Sequence, residues 1–409
     1  MISFFKEKPK DEFLEMTITE TSVKIHPIKT KTYSKYLFIP LVIFLLYSSS
    51  ESGCKCAPDV QPPKTINNKN WKEVKIRLDR IGNEFQVNSS STIQVKTIDV
   101  ETKNFANSFS LKDNPEYFNK RLELSFLEKK FTYKGKIYRG GIFLIPENKQ
   151  YLVVNVLDKE DYLLGVVPSE MPASWHIDAL KAQAVAARTY AIYYIENPLH
   201  KEFHLEADVS SQVYTGTSKE TSLSSMAVQE TKGEVMLYNE FPIKAYFHSN
   251  SGGHTETPEN VWGDKLEYFQ SIPSEYCNKN GGYTWELFLS QTEINDKLKN
   301  EGVGKINDII LKEKTESGRT NQIEIVGEKK SVQLKGNDFR KLFGFGRIKS
   351  LLFEMTKEVN GYQFKGKGFG HGVGMSQWGA FHMATANLSY KQILNFYYPK
   401  GIITKVEVE

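Results

Sequence analysis

Apolar and polar residues alternate along several short segments in the first half of the chain. The alternation occurs at residues 74–81, 92–100 and 122–126, and two largely apolar segments follow at residues 136–145 and 151–157. A period of two is typical of strands that bury one face. The pattern predicts a β-rich region that begins near Trp71, and its last two segments are expected to form a hairpin leading towards Glu170.

A helical period replaces this alternation after Ser174. Small and apolar residues recur there at the spacing of one helix face, and Ser174 is a suitable N-cap. We therefore predict a helix that ends near Ile195, with alanines that allow another element to approach closely. Two further helices are predicted, one at residues 294–298 behind a capping-box spacing and one at residues 376–386.

The segments after residue 238 return to short strands and polar loops, and alternation is visible again from residue 307 to 353. Helices and strands thus occur in separate stretches rather than as regular strand–helix repeats. We predict an α+β fold, in which a β-rich N-terminal part and further strands surround an alanine-rich helical core.

Composition excludes several classes of protein. The chain has 409 residues and 12% aromatic residues, which is enough to build a core and argues against disorder. Its net charge of +4 is too small to indicate a nucleic-acid partner. A slight positive balance fits either wall polymers that carry carboxylates or ordinary solvated lysines.

The N-terminal region resembles an export signal. Residues 36–47 are uninterruptedly apolar and follow three lysines. As a helix this run would extend roughly 18 Å, whereas a bilayer core is roughly 30 Å thick. We expect an exported, extracytoplasmic protein with residues 1–53 as a basic region and signal, and with Met1 or Met16 as its start.

Cys54 follows this signal and is a candidate for lipidation, which would anchor the protein to the cell envelope; cleavage to a soluble form is the alternative. Contact with a membrane is expected only through the signal or this lipid. Residues 54–70 are rich in Ser, Pro, Asn and Lys and are interpreted as a tether. Cys56 and Cys277 either pair or leave Cys277 as a free thiol.

Glu170 is the candidate catalytic residue. It lies between Pro168 and Pro172 in an apolar segment, which restricts its backbone. A carboxyl group that is held in place and desolvated has a raised pKa, as a general acid near neutral pH requires. The alternative is an acidic residue that stabilises the start of the following helix through its dipole.

Glycines occupy every second position from Gly368 to Gly374, ahead of Gln377 and Trp378. Such a segment lets the backbone approach a ligand, and an amide beside an indole is suited to a sugar. A glycine-rich turn that caps a helix is the alternative. The preceding residues have phosphate-loop spacing, but Gly368 stands where Ser or Thr is required, which excludes nucleotide binding.

Residues 248–254 combine histidines, hydroxyls and two glycines. His248 is expected either to orient Glu170 or a sugar hydroxyl, or to be a structural histidine. The chain's histidines show no known ligand spacing, so we predict no metal and no cofactor. The histidines considered for a zinc site are His200, His204, His248, His254 and His371.

Three blocks together resemble the SpoIID/LytB family. They are residues 165–191, residues 246–263 and residues 366–380. Weaker similarity is found at Asp208–Tyr214, Ser317–Arg319, Phe339–Arg340 and Lys349–Ser350. The resemblance covers roughly residues 131–400, which we predict to be the catalytic domain, with residues 71–130 as a β-rich N-terminal region of undetermined role.

The resemblance implies a lytic transglycosylase that cleaves peptidoglycan glycan strands between N-acetylmuramic acid and N-acetylglucosamine, with Glu170 as its single acid and 1,6-anhydromuramic ends as products. It also implies a preference for peptide-stripped strands and a cell-wall amidase as partner. Some relatives carry Cys and His ligands where this chain has Ser210 and Ser211, which argues against a zinc ion. For Arg188 a structural salt bridge is the alternative to substrate binding. The residues expected to bind substrate are Arg188, His248, Ser249, Ser251, Gly252, Gly253, His371, Gly374, Gln377 and Trp378.

Two other functions remain open. The first is a non-catalytic, glycan-binding amidase enhancer of the LytB type, and the second is a surface β protein in which the motifs are structural. For hydrolysis a second carboxylate would be needed, and Glu256 and Glu259 are the candidates.

Overall fold

The structure is a computed structural model that describes residues 65–67, 71–98, 102–277 and 283–407. All of the described residues belong to one compact unit within residues 57–409. The predicted export signal, both possible start residues, Cys54 and Cys56 lie outside the described residues. Among the described residues, no helix is long and apolar enough to cross a membrane.

The described residues contain 23 strands, which we number in chain order. These are β1 (Thr65–Asn67), β2 (Glu73–Ile81), β3 (Gln86–Asn88), β4 (Ile93–Thr97), β5 (Thr102–Phe105), β6 (Ser108–Ser110), β7 (Leu122–Phe126), β8 (Lys130–Tyr133), β9 (Lys136–Arg139), β10 (Gly141–Glu147), β11 (Gln150–Asp158), β12 (Leu205–Glu206), β13 (Glu234–Tyr238), β14 (Phe241–Pro242), β15 (Phe247–His248), β16 (Thr284–Ser290), β17 (Ile306–Lys314), β18 (Thr320–Gly327), β19 (Ser331–Lys335), β20 (Phe353–Glu358), β21 (Gly361–Lys367), β22 (Met375–Ser376) and β23 (Ile402–Glu407).

Eight α-helices occur in the same described residues. They are α1 (Lys159–Glu170), α2 (Ile177–Glu196), α3 (Ser222–Glu230), α4 (Pro258–Trp262), α5 (Gln291–Leu298), α6 (Gly336–Phe343), α7 (Gln377–Thr385) and α8 (Tyr390–Tyr397). Short 3₁₀ turns are found at Pro115–Tyr117 and Lys299–Glu301. The combination of helices with many strands confirms the predicted α+β class.

A seven-stranded sheet dominates the N-terminal part, with the strand order β12-β2-β11-β10-β7-β4-β5. The predicted strands at residues 74–81 and 122–126 correspond to β2 and β7, and the predicted hairpin is β10–β11, paired antiparallel. Strand β11 is buried on both faces. Val153 and Leu157 belong to the main hydrophobic core, and the alternate residues pack with Phe203 in a smaller cluster. The strand leads directly into α1. The sheet therefore fixes where α1 begins.

Helix α1 corrects the expected surroundings of Glu170. The segment around Pro168 is helical, and Glu170 is the last residue of α1, a helix that was not predicted. Asp158 caps the helix by accepting a hydrogen bond from the Glu160 N–H. Pro168 is tolerated because it lies in the last turn, where the missing N–H removes a single hydrogen bond.

Helix α2 is the predicted alanine-rich core helix, although His176 caps it instead of Ser174. It packs against α1, α3, α7 and α8, so nearly all of its faces are buried. A helix enclosed in this way has no polar face, and its few polar side chains must find partners inside the protein. These buried polar residues are Gln183, Arg188 and Thr189.

A second hydrophobic core forms between residues 285 and 364. Two three-stranded sheets build it, β16-β21-β20 and β17-β18-β19, together with α5 and α6. Ser290 caps α5 as the capping-box spacing predicted, whereas α6 was not predicted. Helix α6 ends at Gly344, and the loop after it reaches the candidate site described below.

The C-terminal part returns to the first core. The predicted helix at residues 376–386 is α7, with Ser376 as its N-cap and Ala386 as its C-cap. Helix α8 was not predicted. Strand β1 lies within the predicted tether and pairs in parallel with β23, so these three tether residues are part of a sheet.

Candidate active site

Glu170 ends α1 with its carboxyl group in a half-buried position. The Val213 N–H donates a hydrogen bond of 2.5 Å to Glu170 Oε1. Burial raises the pKa of Glu170 to about 7, and the Val213 hydrogen bond and Lys219 only partly oppose this effect. The carboxyl group is consequently divided between its protonated and ionised forms near neutral pH.

Gln377 joins three separate parts of the chain at this point. Its Nε2 donates to the main-chain oxygen of Glu170 at 3.0 Å and to Oε1 of Gln183 at 3.3 Å. Gln377 begins α7 and Gln183 lies on α2, so one amide connects α7 to the end of α1 and to the core helix. This amide therefore holds the main chain in place at the C-terminal end of α1.

A cleft of about 610 Å³ opens beside Glu170. Its volume is in the range of pockets that hold small ligands or a few sugar rings. Loops after α2, the segment around β15, the loop after α6 and the glycine-rich segment all contribute to it. The residues that line it are Glu170, Tyr190, Val209, Ser210, Ser211, Val213, Tyr246, Phe247, His248, Ser249, Trp262, Asn337, Arg340, Phe345, Gly346, Phe369, Gly370, His371 and Gln377.

Two neutral histidines lie in the cleft wall. His248 Nδ1 is 3.1 Å from the Val373 carbonyl, which can only accept, so Nδ1 carries the proton. His248 Nε2 is then an acceptor, and it is buried without a partner. Burial lowers the pKa of His248 well below its usual value, with smaller effects from His371 and Arg319.

His371 is also neutral, because burial lowers its pKa to about 3, and Arg340 adds to this effect. Its ring lies 5.4 Å from that of His248 and 5.0 Å from Trp262, measured between centroids. Trp262 in turn stacks on Tyr246 at 4.5 Å. These rings form an aromatic wall of the kind that packs against the apolar face of a sugar.

The glycines of the glycine-rich segment are required for close packing more than for presenting main-chain amides to a ligand. Gly370 has a φ of 113°, and a Cβ there would lie 2.7 Å from Cβ of His248. Gly372 has a φ of 87°, and a Cβ there would lie 2.6 Å from the Arg319 guanidinium. Glycine is therefore required where this segment passes His248 and Arg319. Of the segment, Phe369, Gly370 and His371 reach the cleft.

Comparison with known proteins finds matches for two segments that contribute residues to the cleft. Residues 147–238 match the stage II sporulation protein (SpoIID) family. Over 270 residues the chain is 34% identical to the stage II sporulation protein D of Bacillus subtilis, covering 61% of this chain and 75% of that protein. The chain belongs to the SpoIID family. Residues 264–374 match a domain of unknown function, DUF8618.

Two further relatives extend the comparison within the SpoIID family. An uncharacterised protein of Brachyspira hyodysenteriae is 39% identical over 271 residues, which is 66% of this chain and 72% of that protein. The amidase enhancer of Bacillus subtilis is 30% identical over 293 residues, which is 59% of this chain but 40% of the enhancer.

The SpoIID segment supplies Glu170 and the lining residues up to Val213, and the DUF8618 segment supplies the lining residues from Asn337 to His371. The lining residues at positions 246–262 and Gln377 lie outside both matched segments. Several residues that line the cleft were not predicted as site residues. Tyr246 and Trp262 lie in a block that resembles the family, and Arg340 lies in one of the weaker similarities, so motif similarity was the available signal. Tyr190 also lies in a block that resembles the family, whereas no signal in the sequence pointed to Asn337 or Phe345.

The predicted substrate-binding residues separate into two groups. His248, Ser249, His371 and Gln377 line the cleft together with Glu170. The others do not line it. Ser251 donates to Sγ of Cys277 at 3.0 Å, and Gly252 and Gly253 form the turn beside it.

Gly374 and Trp378 are also outside the cleft. A Cβ at Gly374 would lie 2.0 Å from the Tyr246 carbonyl oxygen, so the glycine is required for close packing. Trp378 packs its ring 4.8 Å from the ring of Trp175.

Arg188 requires a correction. Its side chain is fully buried, and Nε and Nη2 each donate to Glu160 at 2.8 Å. Thr231 and the carbonyls of Val228 and Glu234 accept its other hydrogen bonds. Arg188 therefore stabilises the packing of α2 against α1 and α3 and does not contact the cleft.

Neither candidate for a second catalytic carboxylate lines the cleft. Burial alone would raise the pKa of Glu256, but hydrogen bonds from Thr315, Asn260 and Ser317 lower it below its usual value. Glu259 is exposed on α4. Among the described residues that line the cleft, Glu170 is the one with a carboxyl group.

The described histidines and acidic residues do not gather into a metal site. In the part of the chain that the structure describes, no group of three or more His, Cys, Asp or Glu side chains is arranged to hold a metal ion. His200 pairs with Glu147, and His204 accepts a hydrogen bond from the Lys75 N–H. Cys277 is a free, buried thiol.

Proposed function

We propose that this protein is an exported lytic transglycosylase that cleaves peptidoglycan glycan strands between N-acetylmuramic acid and N-acetylglucosamine. The observation that carries the proposal is that Glu170 is the one carboxyl group among the described residues that line the cleft, and its pKa of about 7 suits proton transfer in both directions. Membership of the SpoIID family supports the same class of substrate.

In the proposed reaction, protonated Glu170 donates its proton to the glycosidic oxygen as the bond from that oxygen to C1 of the muramic sugar breaks. The 6-hydroxyl oxygen of the same sugar bonds to C1. Ionised Glu170 accepts the hydroxyl proton, so the enzyme returns to its starting state. The internal nucleophile is already positioned by the sugar ring, which removes the need to bind a water.

The absence of a second carboxylate among the described cleft residues supports a lyase over a hydrolase. Glycoside hydrolysis ordinarily uses two carboxyl groups at a defined separation. Glu256 is unsuited to that role because four groups already donate hydrogen bonds to it. One carboxyl group is sufficient when the substrate supplies the nucleophile.

Other cleft residues support binding of a sugar chain. Tyr246, Trp262 and Phe345 offer apolar faces to the cleft. Peptide-stripped strands are the proposed substrate, and a cell-wall amidase that removes stem peptides is the proposed partner.

The test is mass spectrometry of soluble products from peptide-stripped strands incubated with the purified protein, with Glu170→Gln and with Glu259→Gln as a matched control. The control also replaces a glutamate by glutamine, but on the exposed surface of α4. We expect 1,6-anhydromuramic products from the wild type and the control, and none from Glu170→Gln. Products with reducing ends alone, or equal activity in Glu170→Gln, would contradict the proposal.

A second function, enhancement of an amidase without cleavage, is favoured by one observation, the similarity to the Bacillus subtilis amidase enhancer. In that case the cleft would hold glycan for a partner hydrolase. Wild type and Glu170→Gln would then leave the strands intact, bind them equally and stimulate an added amidase equally. A loss of cleavage in Glu170→Gln with retained binding would instead favour the transglycosylase.

A further inference from the structure

Arg340 is a buried cation in the wall of the cleft. It lies on α6, its exposed fraction is 5%, and it lines the same cleft as Glu170. Its Nε donates to the Ile348 carbonyl at 2.7 Å, and Nη2 donates to the Lys349 carbonyl at 2.8 Å. A longer bond of 3.3 Å connects Nη2 to the Phe345 carbonyl.

The remaining nitrogen, Nη1, has two N–H donors and no hydrogen-bond partner among the described residues. It is not one of the enclosed polar atoms that lack a partner, so it reaches open space. Since Arg340 is otherwise buried and lines the cleft, that open space is the cleft. The guanidinium thus presents two free donors to whatever the cleft holds.

The charge of Arg340 is also unbalanced. No carboxylate of the described residues forms an ion pair with it, and all of its acceptors are main-chain carbonyls. Burial lowers its pKa to about 10, and nearby Arg319 adds to this effect. Arg347, four residues after α6, differs because its guanidinium pairs with Glu293. A buried charge without a counter-ion is costly, and an anionic ligand would relieve that cost.

The loop after α6 holds this guanidinium in place. The three carbonyls that accept from Arg340 belong to that loop, and the Phe345 ring lies 4.8 Å from the guanidinium carbon. A cation held in one orientation loses little entropy on binding an anion, and an arginine forms directional hydrogen bonds to a carboxylate.

A glycan strand stripped of stem peptides carries one kind of anion, the carboxylate of the lactyl ether on each muramic sugar. In an intact strand the same carbon is an amide, because the stem peptide is attached there. The two forms differ by one negative charge at a fixed place on the sugar.

We propose that Arg340 binds the free lactyl carboxylate of a muramic sugar in the cleft and so selects strands from which the stem peptide has been removed. This inference rests on the proposed function, since it requires the cleft to hold a glycan strand. It assigns Arg340 as a specificity-determining residue distinct from Glu170.

Binding of modified strands tests the assignment. Peptide-stripped strands are compared with the same strands after carbodiimide coupling to methylamine, which converts each lactyl carboxylate to a neutral amide. Affinity is measured by calorimetry with the Glu170→Gln protein, so that no strand is cleaved. We expect roughly ten- to one-hundred-fold weaker binding of the amidated strands, as for loss of a charge-assisted hydrogen bond.

The same comparison is made with Arg340→Gln and with Arg347→Gln, both in the Glu170→Gln background. Arg340→Gln should bind the two kinds of strand with similar affinity, whereas Arg347→Gln should discriminate as its parent does. The substrate comparison in the parent protein does not depend on how well either variant folds.

Equal affinity of the parent for both strands, or discrimination that survives in Arg340→Gln, would overturn the assignment. Arg340-dependent discrimination without any anhydro product from the wild type would support the assignment and overturn the transglycosylase reaction. Failure to bind either kind of strand would overturn both.

Discussion

Glu170 and Glu256 both have carboxyl groups enclosed by protein, yet their pKa values move in opposite directions. Burial acts on both and raises both values. Glu170 accepts one hydrogen bond, from the Val213 N–H, and its pKa rises to about 7. Glu256 accepts four, from Thr257, Asn260, Thr315 and Ser317, and its pKa is lowered. The number of donors decides the outcome here, because each hydrogen bond favours the ionised form.

Glu170 and Glu256 differ in their structural role as well as in the pKa of their carboxyl groups. Glu256 shares Ser317 with Arg319, and its own N–H donates to the Gly372 carbonyl at 2.9 Å. It therefore stabilises the glycine-rich segment that reaches the cleft. Glu170 is left with few partners in the place where a ligand would bind. A carboxyl group with unused hydrogen-bonding capacity beside a cleft is suited to chemistry, and a fully bonded one is suited to stability.

The largest effect that we expect is a difference in catalytic rate between variants of Glu170 and Glu256. Glu170→Gln should reduce the rate of anhydro-product formation by at least roughly 10²-fold, which is the lower range for loss of a general acid. Glu256→Gln should retain the activity expected from its folded fraction. Initial rates, corrected for folded protein by circular dichroism, distinguish these outcomes. Similar losses in both variants would break the comparison.

Stability should show the reverse order. Glu256→Gln replaces a buried carboxylate bonded to four donors and leaves Arg319 without its nearest negative charge, so the free energy of unfolding should fall by about 2–4 kcal/mol at pH 7. Glu170→Gln should not be destabilised. Denaturant unfolding measures both, and a Glu256→Gln protein as stable as the wild type would contradict the expectation.

Stability should also depend on pH with opposite signs at the two sites. The folded pKa of Glu170 is raised, so its contribution is complete below about pH 4.5 and is lost as the pH rises through about 7. A change from 4.5 to about 7 corresponds to roughly 3 kcal/mol. The folded pKa of Glu256 is lowered, so its contribution is present above about pH 4.5 and is lost as the pH falls.

Glu170→Gln should accordingly gain stability relative to the wild type above pH 7, and Glu256→Gln should lose the part of the acid sensitivity that Glu256 contributes. Unfolding free energies measured across pH 3–9 for the three proteins test both statements. Curves for wild type and Glu170→Gln that stay parallel between pH 4.5 and 7 would show that Glu170 has an ordinary pKa.

The smallest expected effect concerns Lys219, the cation that lowers the pKa of Glu170 after the Val213 hydrogen bond. Lys219→Gln should raise that pKa and move the alkaline decline of kcat/KM to higher pH, because the protonated acid persists further. Lys400→Gln removes the same charge from another exposed position and should leave the profile unchanged. A decline that moves equally in both variants would indicate a general effect of net charge.

Local elements were predictable where one physical signal dominated. Alternation gave β7 with its bounds, and capping residues located the starts of α5 and α7. Helix α1 was not predicted, because Pro168 and Pro172 were interpreted only as restricting the backbone around Glu170. The surrounding Tyr162, Val166 and Val167 bury one helical face, and this packing outweighs the cost of one proline in the last turn.

Only the site residues that lie in recognisable motifs could be predicted from the sequence. Glu170, His248, His371 and Gln377 carry recognisable sequence context and line one cleft. The free side of Arg340 and the full pairing of Arg188 depend on which distant residues come close, and a sequence alone does not contain that information. Both arginines are buried, and they differ in their partners. Arg188 pairs with the Glu160 carboxylate, whereas Arg340 donates to three loop carbonyls.

The Gln377 amide also determines when the site can form. It bonds to the main chain of Glu170 across a separation of 207 residues, and to Gln183 across 194. Contacts this distant along the chain form late in folding, because a long loop must close first. A growing polypeptide therefore contains Glu170 well before it contains the residue that fixes it, and the catalytic arrangement is completed only near the end of folding.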